Sequence, residues 1–119
     1  MSSSARPPNE EVLDWQQALE RVDGSEETLV ELVDIFLEQW PEMMDEIEQG
    51  VARADYENLR RAAHTLKGSA SIFGARPVVQ VANRLSDMAR DEQLDGAEAE
   101  LRKLQDEMDR LVPAMQQRV

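Results

Sequence analysis

Residues 25–51 read SEETLVELVDIFLEQWPEMMDEIEQGV, and this stretch decides the fold. Leu29, Leu32, Val33, Phe36, Trp40, Met44, Ile47 and Val51 recur three and four residues apart. That spacing places them on one side of a helix and leaves the acidic residues on the other. Ser25 is a plausible N-cap, since its hydroxyl can accept from a free amide of the first turn. Pro41 removes one backbone donor from the middle of the pattern, so a kink or a break into two helices is expected there.

The same period extends in both directions. Upstream, Asp14 and Gln17 are spaced for a capping box opening a short helix, with Trp15, Ala18, Leu19 and Val22 facing inward and Gly24 at C′. Downstream, a third helix starts near Asp55 and runs to about Phe73, where Gly74 ends it. Pro77 falls in the first turn of a fourth, with Val78, Val81, Ala82, Leu85, Met88 and Ala89 as core positions. The last helix is expected after Asp95, with Glu98 completing an Asp-x-x-Glu box. Its Ala97, Leu101, Leu104, Met108, Leu111 and Met115 suit bundle packing. Strand-like alternation is nearly absent. The fold class is therefore all-α: an antiparallel up-and-down four-helix bundle with a short additional N-terminal helix. Residues 1–10, with Pro7 and Pro8, read as a disordered tail, and 11–119 as the domain. The six methionines and two tryptophans fall mostly on apolar stripes and belong to the core.

Composition narrows the chemistry. The 119 residues suit one domain with a small core. There is no cysteine, which removes disulfides, thiolate catalysis and cysteine-based zinc sites. No apolar run approaches the length of a membrane span, and no secretory signal opens the chain, so the expected location is the cytoplasm. The net charge of −12 argues against nucleic-acid binding. Its distribution says more. The window 58–86 holds no Asp or Glu but carries Arg60, Arg61, Lys67, Arg76 and Arg84, which leaves −17 on the rest of the chain. Such a basic stretch reads either as chance segregation of charge or as an electrostatic landing site for an anion or an acidic partner.

The only histidine, His64, lies inside that window. At about 100° per residue, Arg60, Arg61, Lys67, Gly68 and Ser71 fall within about 60° of it on the third helix. Leu59, Ala62, Leu66, Ser69, Ala70 and Phe73 fall on the opposite half, which makes the first group the solvent side. A lone surface histidine commonly has no chemistry, but three features point to one here. Gly68 costs a helix interior about 1 kcal/mol relative to alanine and packs nothing on an exposed face; removing its side chain lets a partner approach the imidazole. Lys67, one turn away, offers an ammonium to phosphate oxygens, as do Arg60 and Arg61. No carboxylate nearby in sequence repels an incoming phosphoryl group. Imidazole itself, with a reference pKa of about 6.5, is largely neutral and nucleophilic near neutral pH. A metal enzyme is disfavoured, because one histidine without convergent acids makes a poor site.

The run AAHTLKGSASIFGA, residues 62–75, resembles the signature of histidine-containing phosphotransfer (HPt) domains: histidine, then Lys-Gly at the third and fourth positions after it, two small residues, an apolar residue and glycine. His64, Lys67, Gly68, Ser69, Ala70, Phe73 and Gly74 match, whereas Ser71 and Ile72 are not the commonest residues at their places. The opening LDWQQALERVDGSEETLVELVDIFLEQWPEMMDEI, residues 13–47, is similar to the first two helices of the family. The resemblance covers about residues 11–112. It implies a helical bundle, a phosphorylated His64 with Nε2 as its nucleophile, and partner receiver domains of two-component phosphorelays that carry the catalytic Asp and Mg²⁺. It also implies a phosphocarrier with no cofactor or ATP site of its own. Lys67 is then expected to stabilise the phosphoryl group, and Arg60, Arg61, Lys67, Gly68 and Ser71 to meet the partner. Gln80 on the next helix is a candidate for orienting the imidazole. Ile-Phe-Gly also resembles the phosphorylatable N-terminal domain of chemotaxis histidine kinases, which share the bundle. A scaffolding bundle with an incidental histidine is the alternative of another class.

Overall fold

A computed structural model describes residues 12–119. The expected tail, residues 1–10, lies outside the described residues. Five helices and no strand occur among those described: α1 (Trp15–Arg21), α2 (Glu26–Arg53), α3 (Tyr56–Ile72), α4 (Arg76–Arg90) and α5 (Ala97–Gln116). The turns between α2, α3, α4 and α5 are short, so consecutive helices run antiparallel. α3 packs most extensively on α4, α2 on α3, α4 on α5, and α2 on α5 closes the ring. The short α1 lies at one end, where the Asp14 amide donates to the Phe73 carbonyl at 2.9 Å.

Local sequence chemistry sets the helix starts. Asp14, Ser25 and Asp55 each accept from the backbone amide three residues on, at 3.0, 3.2 and 3.3 Å. The stops of α1 to α4 are of one kind. The amides of Gly24, Asp55, Ala75 and Gln93 each donate to a carbonyl five residues back, closing Schellman motifs. The left-handed residue in these motifs is Asp23, Ala54, Gly74 and Glu92, so glycine holds that place once in four. Gly24 therefore stands one residue beyond the expected C′ position. At Gly74 a side chain is doubly excluded: φ is +63°, and a Cβ would lie 2.6 Å from Asp14 Cβ.

Of the two outcomes expected at Pro41, the break does not occur: α2 is one helix through Pro41, which is exposed. Buried Phe36 before it and Met43, Met44 and Ile47 after it hold both halves on the core, which outweighs one missing hydrogen bond. The Asp95–Glu98 box does not form. The N-cap is Gly96, with φ +84° and no side-chain cap, because the chain turns through Leu94, whose carbonyl accepts from the Ala97 amide at 2.9 Å.

Most core positions are as the period places them. Leu32, Trp40, Val51, Leu101 and Met88 are half-buried rather than buried, and Met43, Gly50, Ala63 and Ala114 join the core. Phe36 and Phe73 meet edge to face with centroids 5.7 Å apart, which fastens the end of α3 to α2. The Arg118 guanidinium lies 4.8 Å from the Trp15 ring centroid and ties the end of the chain to α1. No helix among the described residues is long and apolar enough to cross a membrane.

Candidate functional site

Burial on one side of α3 dictates what faces outward on the other. Leu59, Ala63, Leu66 and Ala70 are fully buried, so the helix cannot rotate without exposing them. That fixes His64 outward, and it is exposed as the wheel predicts. Arg60, Arg61 and Gly68 are exposed with it; Lys67 and Ser71 are half-buried at the edge. A Cβ placed on Gly68 would meet nothing within 4 Å. His64 borders a shallow depression of about 260 Å³ lined by Glu57, Arg60, Arg61, Thr65 and Ser86.

The side chains differ in how they are engaged. Arg60 makes no ion pair among the described residues, so its charge is available to an incoming anion. Arg61 lies 3.8 Å from Glu57, one turn back, with both groups well exposed. Such an exposed pair holds the arginine only weakly. Glu57 qualifies the expectation of an acid-free surround: it stands just outside the acid-free window, yet the helix winds it back to the depression. The Ser71 hydroxyl donates to the Lys67 carbonyl at 2.8 Å and is committed to its own helix. Lys67 leans to the α4 side, where its Nζ donates to Asn83 Oδ1 at 3.0 Å. No group of three potential metal ligands occurs among the described residues.

Gln80 is not brought to the imidazole. Residues equidistant from the turn at Ala75 face each other: Lys67 pairs with Asn83, and His64 shares its depression with Ser86. Gln80 lies level with Ala70, six residues or about 9 Å of helix rise from Ser86. The imidazole has no hydrogen-bond partner among the described residues. Asn83 and Ser86 are the neighbours that reading one helix at a time misses, and Glu57 is the one that counting acids along the sequence misses. Counting outward from the α3–α4 turn would have found the first two, and the wheel would have found Glu57, about 20° from His64.

Comparison with known proteins places this arrangement. No curated protein matches the chain. Among solved structures, the HPT domain from the Hpt sensor hybrid histidine kinase of Shewanella is 18% identical and superposes with a TM-score of 0.80, over 90% of this chain and 92% of that one. Histidine-containing phosphotransfer protein B (HptB) from Pseudomonas aeruginosa PAO1 is 23% identical, with a TM-score of 0.79 and 96% of both chains covered. At these identities the two likenesses establish the fold. The family description "Hpt domain" matches residues 31–114, which span all of α3 and α4 and most of α2 and α5. The chain therefore belongs to the Hpt domain family, whose role is histidine phosphotransfer in two-component phosphorelays.

Proposed function

We propose that His64 is the phosphoryl-carrying residue, loaded from the aspartyl phosphate of one receiver domain and unloaded onto the aspartate of another. The observation that carries this reading is the placement of the only histidine in the chain. It is exposed at the centre of a basic helix face, with an open glycine and a lysine each about one turn away. In the loading step the Nε2 lone pair forms an N–P bond as the acyl P–O bond breaks. The receiver carboxylate leaves with that electron pair, and the ring proton stays on Nδ1. Unloading is the reverse, with the carboxylate of the second receiver as nucleophile.

Each neighbour has a part in this scheme. Transfer requires the two reacting atoms to approach within about 3–3.5 Å, so the surface beside the imidazole must admit another protein's active-site loops. Gly68 provides that space. Arg60 and Arg61 attract the acidic rim of a receiver, and Gly68 and Ser71 meet it. Lys67 counters charge on the phosphoryl oxygens as the group passes. Mg²⁺ is supplied by the receiver, and the chain acts as a cytoplasmic monomer that does not phosphorylate itself from ATP.

The test uses two receivers. Incubation with a phosphorylated receiver is expected to label the protein, and adding an unphosphorylated second receiver to move the label on. Incubation with Mg-ATP alone is expected to leave it unlabelled. Labelling by ATP, or failure to release label to any receiver, contradicts the carrier reading.

A further inference from the structure

Lys67 is held from the neighbouring helix. Its Nζ donates across the α3–α4 seam to Asn83 Oδ1 at 3.0 Å, and both side chains are half-buried. The polarity of this contact is fixed, because an ammonium only donates and only the amide oxygen of asparagine accepts. An unrestrained lysine is a flexible four-carbon stem, whereas this one has one of its three N–H donors pinned. Two donors remain for another acceptor.

The acceptor is neutral. Asn83 fixes where the ammonium stands without cancelling its charge. The surroundings do not cancel it either: Glu57, which lines the His64 depression, stands ten residues or about 15 Å of helix rise from Lys67. No Asp or Glu occurs between residues 58 and 86. On α4 and just beyond it, Asp87 and Asp91 pair with Arg90 at 3.3 and 3.0 Å. Glu100, across on α5, is bound by Arg84 at 2.8 Å and Lys103 at 3.2 Å. A carboxylate at position 83 would do the opposite: it would form a charge-assisted bond roughly twice as strong and compete with phosphoryl oxygens for the same ammonium.

From this contact we infer that Asn83 is a positioning residue for phosphoryl transfer: it holds the ammonium of Lys67, one turn along α3 from His64, with its charge uncompensated. The inference rests on the carrier reading above. It makes a prediction that a structural role does not. Asn83→Asp keeps an acceptor for Lys67 and Asn83→Ala removes it, so a role in stability alone ranks Asp above Ala in both stability and transfer. A role in keeping the charge available ranks Asp below Ala in transfer.

The experiment measures thermal midpoint and the rate of transfer from a saturating phosphorylated receiver. It uses the wild type, Asn83→Ala and Asn83→Asp, each with Lys67 and with Lys67→Ala. With Lys67 present, Asn83→Ala is expected to slow transfer a few-fold. Asn83→Asp is expected to slow it by about tenfold or more, with a thermal midpoint no lower than that of the alanine variant. With Lys67→Ala, the gap between the two variants is expected to narrow to about twofold. Asp transferring as fast as Ala overturns the inference and leaves the carrier reading standing. So does a gap of undiminished size without Lys67, which assigns the effect to the aspartate's own charge. Wild-type protein that takes up no phosphoryl group overturns the carrier reading, and this inference with it.

Discussion

Gly50 and Gly68 are both helical glycines, and they are there for opposite reasons. Gly50, near the end of α2, is buried; a Cβ added there would lie 2.7 Å from Leu59 Cβ and 3.0 Å from Leu59 Cα. It lets the backbones of α2 and α3 approach closely. Gly68, in the middle of α3, is exposed, and a Cβ there would meet nothing within 4 Å. Among the described residues, no contact calls for its missing side chain. One glycine is explained by its own fold; the other is accounted for by the proposed function, as a surface kept clear for a partner.

Substitutions can break this contrast. The largest effect is expected from Gly68→Gln. Its side chain projects into open space, so the fold is retained, but it stands where a receiver must approach. Transfer from a phosphorylated receiver is expected to fall by about 100-fold or more with little change in thermal midpoint. Wild-type transfer by this variant would remove partner access as the reason for the glycine. Gly50→Ala is expected to do the reverse. Forcing Leu59 or the α2–α3 seam to shift costs about 1–3 kcal/mol, more than alanine's helix propensity returns. Denaturant unfolding should show that loss, while folded molecules transfer as the wild type does.

Gly68→Ala sharpens the contrast from the other side. With no contact to disturb, it should gain up to about 1 kcal/mol in the same unfolding assay, the opposite sign from Gly50→Ala. The smallest effect concerns the α4–α5 seam, remote from the contrast between access and packing. The hydrogen bond from Arg84 holds the Glu100 carboxyl below its ordinary value of 4.5, burial opposes this, and Lys103 adds to it. A depressed carboxyl stabilises the fold above its ordinary range and loses that contribution as pH falls through the depressed value. Glu100→Gln should therefore cost roughly 0.2–1 kcal/mol near neutral pH. Unfolding curves taken at successively lower pH should show the difference shrinking below 4.5. Transfer should be unaffected.

The two glycines also mark how far the sequence can be read. Helix periods, the capping role of Asp14 and Ser25, and the outward face of His64 were legible because each depends on residues within a few positions. Gly68 was legible as an anomaly for the same reason: its exposure follows from its place on one wheel. Gly50 was not, because the demand for a missing side chain comes from Leu59 on another helix. Met43 joined the core for a related reason: α2 packs against both α3 and α5, so its buried face is wider than one stripe. Asn83 and Gln80 carry the same lesson within the site. Both are polar residues on α4, and only the register across the turn at Ala75 separates the one that reaches Lys67 from the one that stands about 9 Å of helix rise short of the histidine's level. The stops of α2 and α4 were unreadable for a different reason. Ala54 and Glu92 occupy left-handed positions that a glycine would mark, since the paired backbone bonds of the motif offset the strain.

The central claim is that the open face of α3 exists to present one imidazole. His64→Gln tests it most directly, in a single preparation analysed for both folding and phosphorylation. The substitution is an exposed polar exchange, expected to move stability by no more than about 0.5 kcal/mol. Mixed with a phosphorylated receiver, the wild type should acquire acid-labile phosphate and the variant none, with superimposable circular dichroism and thermal midpoints. Acid-labile phosphate on a folded His64→Gln protein would contradict the account.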